Sequence, residues 1–89
     1  MDLLQRLRSC ITQLRLEDTL KLIRVAKSSV QVELILKALS EGMNDVGKKY
    51  EEGEYFLSEL IFAGEIMKRA IEELKPYLKT YQVSFLLIQ

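Results

Sequence analysis

Few residues of this 89-residue chain are equipped for chemistry. The densest group is Glu51-Glu52-Gly53-Glu54. Paired carboxylates can act as general acid and base, but a run of this kind reads as a solvated acidic edge. Cys10 is the only cysteine, so neither an intramolecular disulfide nor a paired-thiol metal site can form. It falls in an apolar helical pattern, where a buried thiol is expected. The chain has no histidine, which removes the commonest general base, the commonest zinc ligand and every Ser-His or Cys-His nucleophile pair. No catalytic residue and no metal ligand is therefore assigned, and the chain is expected to bind rather than to catalyse.

Charge narrows the binding classes. Lys+Arg and Asp+Glu both number 13, so the formal net charge is zero. A broad phosphate-binding face needs an excess of cations, and an anchor on anionic membrane needs the same, so neither nucleic acid nor membrane is expected as a partner. No charge-free run of roughly 18 apolar residues exists to span a bilayer. Met1-Asp2 leads straight into a charged amphipathic stretch with no signal peptide, which points to the cytoplasm. A chain of this length has room for one core.

Four helical patterns must position whatever binds. Leu3, Leu7, Cys10 and Leu14 recur at helical spacing, widened by Leu4 and Ile11, with Asp2 as the N-cap. A second helix is expected from about Asp18, carrying Leu20, Ile23, Val25 and Ala26, with Ser28 or Ser29 capping the next. The third carries Val32, Ile35, Leu39, Met43, Val46 and Tyr50, and ends at Gly53. Gly42 and Gly47 lie inside it, each costing about 1 kcal/mol relative to Ala unless something packs close or the helix bends. The fourth starts near Leu57-Ser58 and carries Leu57, Leu60, Ile61, Gly64, Met67, Ile71, Leu74 and Leu78, with Pro76 ending or kinking it. The expected fold is an all-α antiparallel four-helix bundle over residues 1–79. Residues 80–89 form an apolar C-terminal tail in which Tyr81-Gln82-Val83-Ser84-Phe85 alternates like a strand. Such a tail pairs with a second copy, packs as an extended arm, or continues the helix against a partner.

Residues 42–57 are the most distinctive part of the chain: Gly42-Met43, two residues, Val46-Gly47, two residues, Tyr50, two residues, Gly53, two residues, then Phe56-Leu57. Glu59-Leu60, Ala63, Met67-Lys68 and Leu74-Lys75-Pro76 follow. This run resembles the helical cap module of corrinoid proteins, as in cobalamin-dependent methionine synthase and the corrinoid proteins of methanol and methylamine methyl transfer. The resemblance covers roughly residues 2–79. It implies a helical roof over the upper, methyl-bearing face of cobalamin, shielding the cobalt–methyl bond and the reduced metal between turnovers. It maps the cofactor-facing residues onto Tyr50, Leu57 and Leu60, with Phe56 beside them or turned into the bundle. From spacing alone the same three residues are equally well read as core.

Several positions depart from the family pattern. Tyr50 stands where the family usually has Phe, which adds a hydroxyl near the axial ligand. Ser58 replaces the proline of Phe-Leu-Pro, and serine can still cap there. Leu36-Lys37 occupies the place of an Asn or Glu that faces the cofactor in relatives. Family members also carry a doubly wound α/β domain whose Asp-x-His-x-x-Gly histidine ligates cobalt from below, and the 89 residues contain no histidine. The resemblance therefore implies two partners, a cobalamin-binding α/β domain or chain and a methyltransferase. The competing expectation is a helical interaction protein that keeps the cap scaffold, binds no cofactor, and forms a homodimer through the apolar face and tail.

Overall fold

The computed structural model describes residues 2–78, so the expected strand-like tail lies outside the described residues. Four helices run in order: α1 (Leu3–Thr12), α2 (Leu16–Ala26), α3 (Val32–Glu51) and α4 (Leu57–Leu74), followed by a 3-10 turn at Lys75–Tyr77. The fold is all-α, a four-helix bundle, as the periodicity requires.

Local chemistry accounts for most of the boundaries. Asp2 caps α1, its Oδ1 accepting the Gln5 N–H at 2.8 Å. At the other end of α1, Leu14 adopts φ 61°, and the N–H groups of Leu14 and Arg15 donate to the carbonyls of Ile11 and Cys10. This is a left-handed helix stop built on leucine, at a backbone cost of about 1–2 kcal/mol that glycine would avoid. The Leu14 side chain packs against the core, which holds the turn in place. Leu14 thus ends α1 and starts the reversal instead of extending the α1 stripe. α2 begins at Leu16, earlier than Asp18, with Glu17 and Asp18 in its first turn where negative charge suits the helix dipole. Gln31, and neither Ser28 nor Ser29, stands at the cap position of α3; the Ser28 hydroxyl donates backward to the Val25 carbonyl. Pro76 sits in the 3-10 turn that terminates α4.

Consecutive helices form two hairpins, α1–α2 and α3–α4. They lie side by side, with α1 against α3 and α2 against α4. Arg8 of α1 grips Asp45 of α3 with two hydrogen bonds, Nε–Oδ2 at 2.7 Å and Nη2–Oδ1 at 3.0 Å. That bond holds the Asp45 carboxyl below its usual range. Between α2 and α4, Arg24 Nη2 meets Glu73 Oε1 at 2.9 Å, and this hydrogen bond lowers the Glu73 carboxyl in the same way. Near these ties α1 approaches α3 closely: a Cβ added to Gly42 would stand 2.9 Å from both the Arg8 carbonyl oxygen and Ile11 Cγ2. Gly42 is therefore a packing glycine.

The core holds Leu7, Ile11, Ile23, Ile35, Leu39, Val46, Ala63, Ile66, Ala70 and Leu74. This corrects the expected α4 face, because Ala63, Ile66 and Ala70 point inward whereas Ile61 is 65% exposed and Gly64 is exposed. Small alanines at the contact let α4 sit close to its neighbours, and the larger side chains flank that line. Val25, expected in the core, is 61% exposed. Cys10 is half-buried, and burial pushes its thiol up, away from a reactive thiolate.

Candidate functional site

The distinctive segment folds into the reversal between α3 and α4. After Glu51 the chain turns through Gly53 at φ 81°. The Gly53 N–H donates to the Tyr50 carbonyl at 3.1 Å and the Glu54 N–H to the Lys49 carbonyl at 2.8 Å, closing a Schellman stop. The contact that usually accompanies such a stop is apolar. Here it is ionic, with Lys49 Nζ 2.9 Å from Glu54 Oε2, and that hydrogen bond pushes the Lys49 ammonium up. The same ammonium lies 5.5 Å from the centre of the Tyr55 ring. Of the acidic run, Glu54 is thus a turn clasp, while Glu51 and Glu52 are exposed.

Two adjacent aromatics then part. Tyr55 turns inward, and its hydroxyl donates to the Thr12 carbonyl at 2.7 Å. Thr12 is the last residue of α1, so this bond satisfies a helix-end carbonyl and ties the tip of one hairpin to the tip of the other. Phe56 turns outward and is 71% exposed, resolving where it goes. The expected serine cap is not used. Glu59 Oε1 accepts the Phe56 N–H at 2.8 Å, whereas Ser58 only contacts the Glu59 carboxylate.

The result is an uncovered apolar surface at the tip of the α3–α4 hairpin. Tyr50 is 43% exposed, Leu57 58% and Ile61 65%, with Phe56 at its edge. In helical register Leu57, Ile61 and Gly64 share one side of α4, and Met43, Gly47 and Tyr50 one side of α3. A Cβ added at Gly47 or Gly64 would meet nothing within 4 Å. Of the three expected cofactor-facing residues, the structure exposes Tyr50 and Leu57. Leu60 is half-buried and packs against the core. Ile61, on the expected apolar stripe of α4, lies on the surface. The alanine-containing stripe Ala63, Ile66, Ala70, Leu74 was the signal that could have placed it there. Leu36 is half-buried against the core and Lys37 exposed.

This surface offers apolar area and one phenol. Among the described residues, no group of three or more His, Cys, Asp or Glu side chains is placed to hold a metal ion. No helix of the described residues is long and apolar enough to cross a membrane.

The B12 binding domain family matches residues 3–75, and the chain belongs to that family. Among its relatives, the dimethylamine corrinoid protein of Methanosarcina barkeri is 33% identical over 75 residues, which are 83% of this chain and 35% of the relative. Monomethylamine corrinoid protein 1 of the same organism is 32% identical over 80 residues, 88% of this chain and 37% of the relative. Trimethylamine corrinoid protein 1 of Methanosarcina mazei is 44% identical over 45 residues, 51% of this chain and 21% of its own length. The chain thus spans about a third of the length of these two methylamine corrinoid proteins of Methanosarcina barkeri. No solved structure matches it.

Proposed function

We propose that the chain caps the upper, methyl-bearing face of a corrinoid and serves as a binding module, rather than an enzyme, in cobalamin-dependent methyl transfer. The observation that carries this reading is the bare apolar tip of α3–α4, where Tyr50, Phe56, Leu57 and Ile61 are exposed together around one turn. The fit to a flat, largely apolar ring face is reasonable on two counts. The exposed side chains come from two helix ends joined by a short turn, and the glycines at 47 and 64 leave open surface beside them. A bound corrinoid supplies the cobalt-linked methyl group. The protein's part is to cover that face and exclude water, with Tyr50 and Leu57 in contact and Leu60 packed against the core. A lower histidine ligand would come from a separate α/β domain or chain, and a methyltransferase would receive or supply the methyl group.

The test is a spectroscopic titration with methylcobalamin in the dark, followed by photolysis with and without the chain. A saturable spectral shift or slowed photolysis supports the cap. No effect at high protein concentration, together with a dimer on gel filtration, supports self-association through the same face.

A further inference from the structure

Between α1 and α2 runs a groove of about 380 Å³ whose walls include Arg6, Cys10, Arg15, Asp18, Lys21 and Leu22. Every residue lining it belongs to α1, α2 or the turn joining them, so it is separate from the α3–α4 tip. Half-buried Cys10 and Leu22 give it an apolar floor, and its rim is cationic. Residues 2–31 carry six Lys and Arg against three Asp and Glu. Four of these cations are held in ion pairs, Arg8 by Asp45, Arg15 by Asp18, and Arg24 and Lys27 by Glu73. The two that form no ion pair among the described residues, Arg6 and Lys21, are exposed and both line the groove.

The α3–α4 turn carries the opposite charge. Its lysines are occupied within the chain, Lys49 by Glu54, while Lys48 acts on Asp45. The Glu59 carboxylate is taken by the Phe56 N–H. Glu51 and Glu52 are exposed and form no ion pair among the described residues. Phe56 beside them is 71% exposed, more than any other large apolar side chain among the described residues. Two unpaired cations over an apolar floor thus match two unpaired carboxylates beside an apolar knob. We propose that the α1–α2 groove receives the Glu51–Phe56 turn of a second copy of this chain. Phe56 then covers Cys10 and Leu22, and the two carboxylates face Arg6 and Lys21. Each copy carries one turn and one groove, so the contact closes reciprocally as a dimer or propagates along a row of copies. The inference stands apart from the cap reading, because neither surface needs a corrinoid. A corrinoid seated on the tip displaces the second copy, so the assembly belongs to the corrinoid-free chain.

The experiment is sedimentation velocity of the full chain at low salt, across about 0.01–1 mM, with two charge-reversed variants. One carries Arg6→Glu and Lys21→Glu in the groove, the other Glu51→Lys and Glu52→Lys in the turn. None of these four side chains is ion-paired among the described residues, so both variants should keep the parent's helical signal. The parent should associate as concentration rises, and each variant should raise the dissociation constant at least about tenfold. An equimolar mixture of the two variants should restore association, because each then offers the other an opposite charge. Phe56→Ser, which alters an exposed side chain and no charge, should weaken the parent's association as well. A parent that stays monomeric throughout overturns the proposal. Association that survives both reversals, or that Phe56→Ser leaves unchanged, overturns it by placing the contact elsewhere. A mixture of variants that stays monomeric overturns the pairing of turn with groove.

Discussion

Leu57→Glu separates a corrin-facing residue from a core residue, because the two roles predict opposite results. Leu57 is the first residue of α4 and 58% exposed, so little of its area is buried by folding. Its replacement should change stability by no more than about 0.5 kcal/mol, the range of ordinary surface substitutions. A carboxylate in the first helical turn gains about 0.3–1 kcal/mol from the helix dipole. The neighbouring acidic residues Glu51, Glu52, Glu54 and Glu59 offset part of that gain. Binding should respond far more. Covering the exposed 58% of a leucine is worth about 1–2 kcal/mol, scaled from the 1.5–3 kcal/mol of full burial. Burying an unpaired carboxylate in its place costs several kcal/mol more. Together these exceed 3 kcal/mol, so methylcobalamin affinity should fall more than about 100-fold. Helical circular dichroism on heating and the dark titration give the two readouts. Loss of the helical signal in Leu57→Glu would refute the placement of Leu57 on the surface. Retained binding in a folded variant would refute the assignment of this face to the corrin.

The two glycines of α3 should respond to alanine with opposite signs. Gly42→Ala forces a methyl against the Arg8 carbonyl, an overpacking cost of about 1–3 kcal/mol against a helix gain of about 1 kcal/mol, and should lower the melting temperature. Gly47→Ala meets nothing and should raise it, by up to about 1 kcal/mol in stability, while weakening cobalamin binding. Tyr55→Phe removes the bond to Thr12 and should cost about 1 kcal/mol in urea unfolding, with the m-value unchanged. Acid should act through Asp45, whose carboxyl is held below its ordinary value of 3.8 by the Arg8 hydrogen bond. A depressed carboxyl contributes stability that is present above its unfolded value and lost as pH falls through the folded one. Melting temperature should therefore drop more steeply below about pH 4 in the parent chain than in Asp45→Asn, and the gap between them should close there. A gap that persists to low pH would show that the carboxylate charge at 45 is not what ties α1 to α3.

What the chain encodes locally could be read without coordinates. The Asp2 cap, the Gly53 stop and the Pro76 ending are properties of single residues acting on their own backbone, and each appears where its chemistry demands. The spaced motif from Gly42 to Leu57 likewise carried the family. Tertiary contact decided the rest. Periodicity marks a broad apolar side on α4 but not which edge faces inward. Ala63 and Ala70 took the interior because close helix approach favours small side chains, and that left Ile61 and Leu57 uncovered. Gly42 and Gly47 look alike in sequence, and only the backbone of α1 lying against one of them makes the first a packing site and the second open surface. Leu14 carried no sign of a left-handed turn, because that strained conformation is held by core packing and not by its own preference. The Thr12 carbonyl, 43 positions away in sequence, drew Tyr55 inward, while Phe56 beside it turned outward. The exposed tip was written in the sequence as apolar residues; their exposure follows from where the core ends.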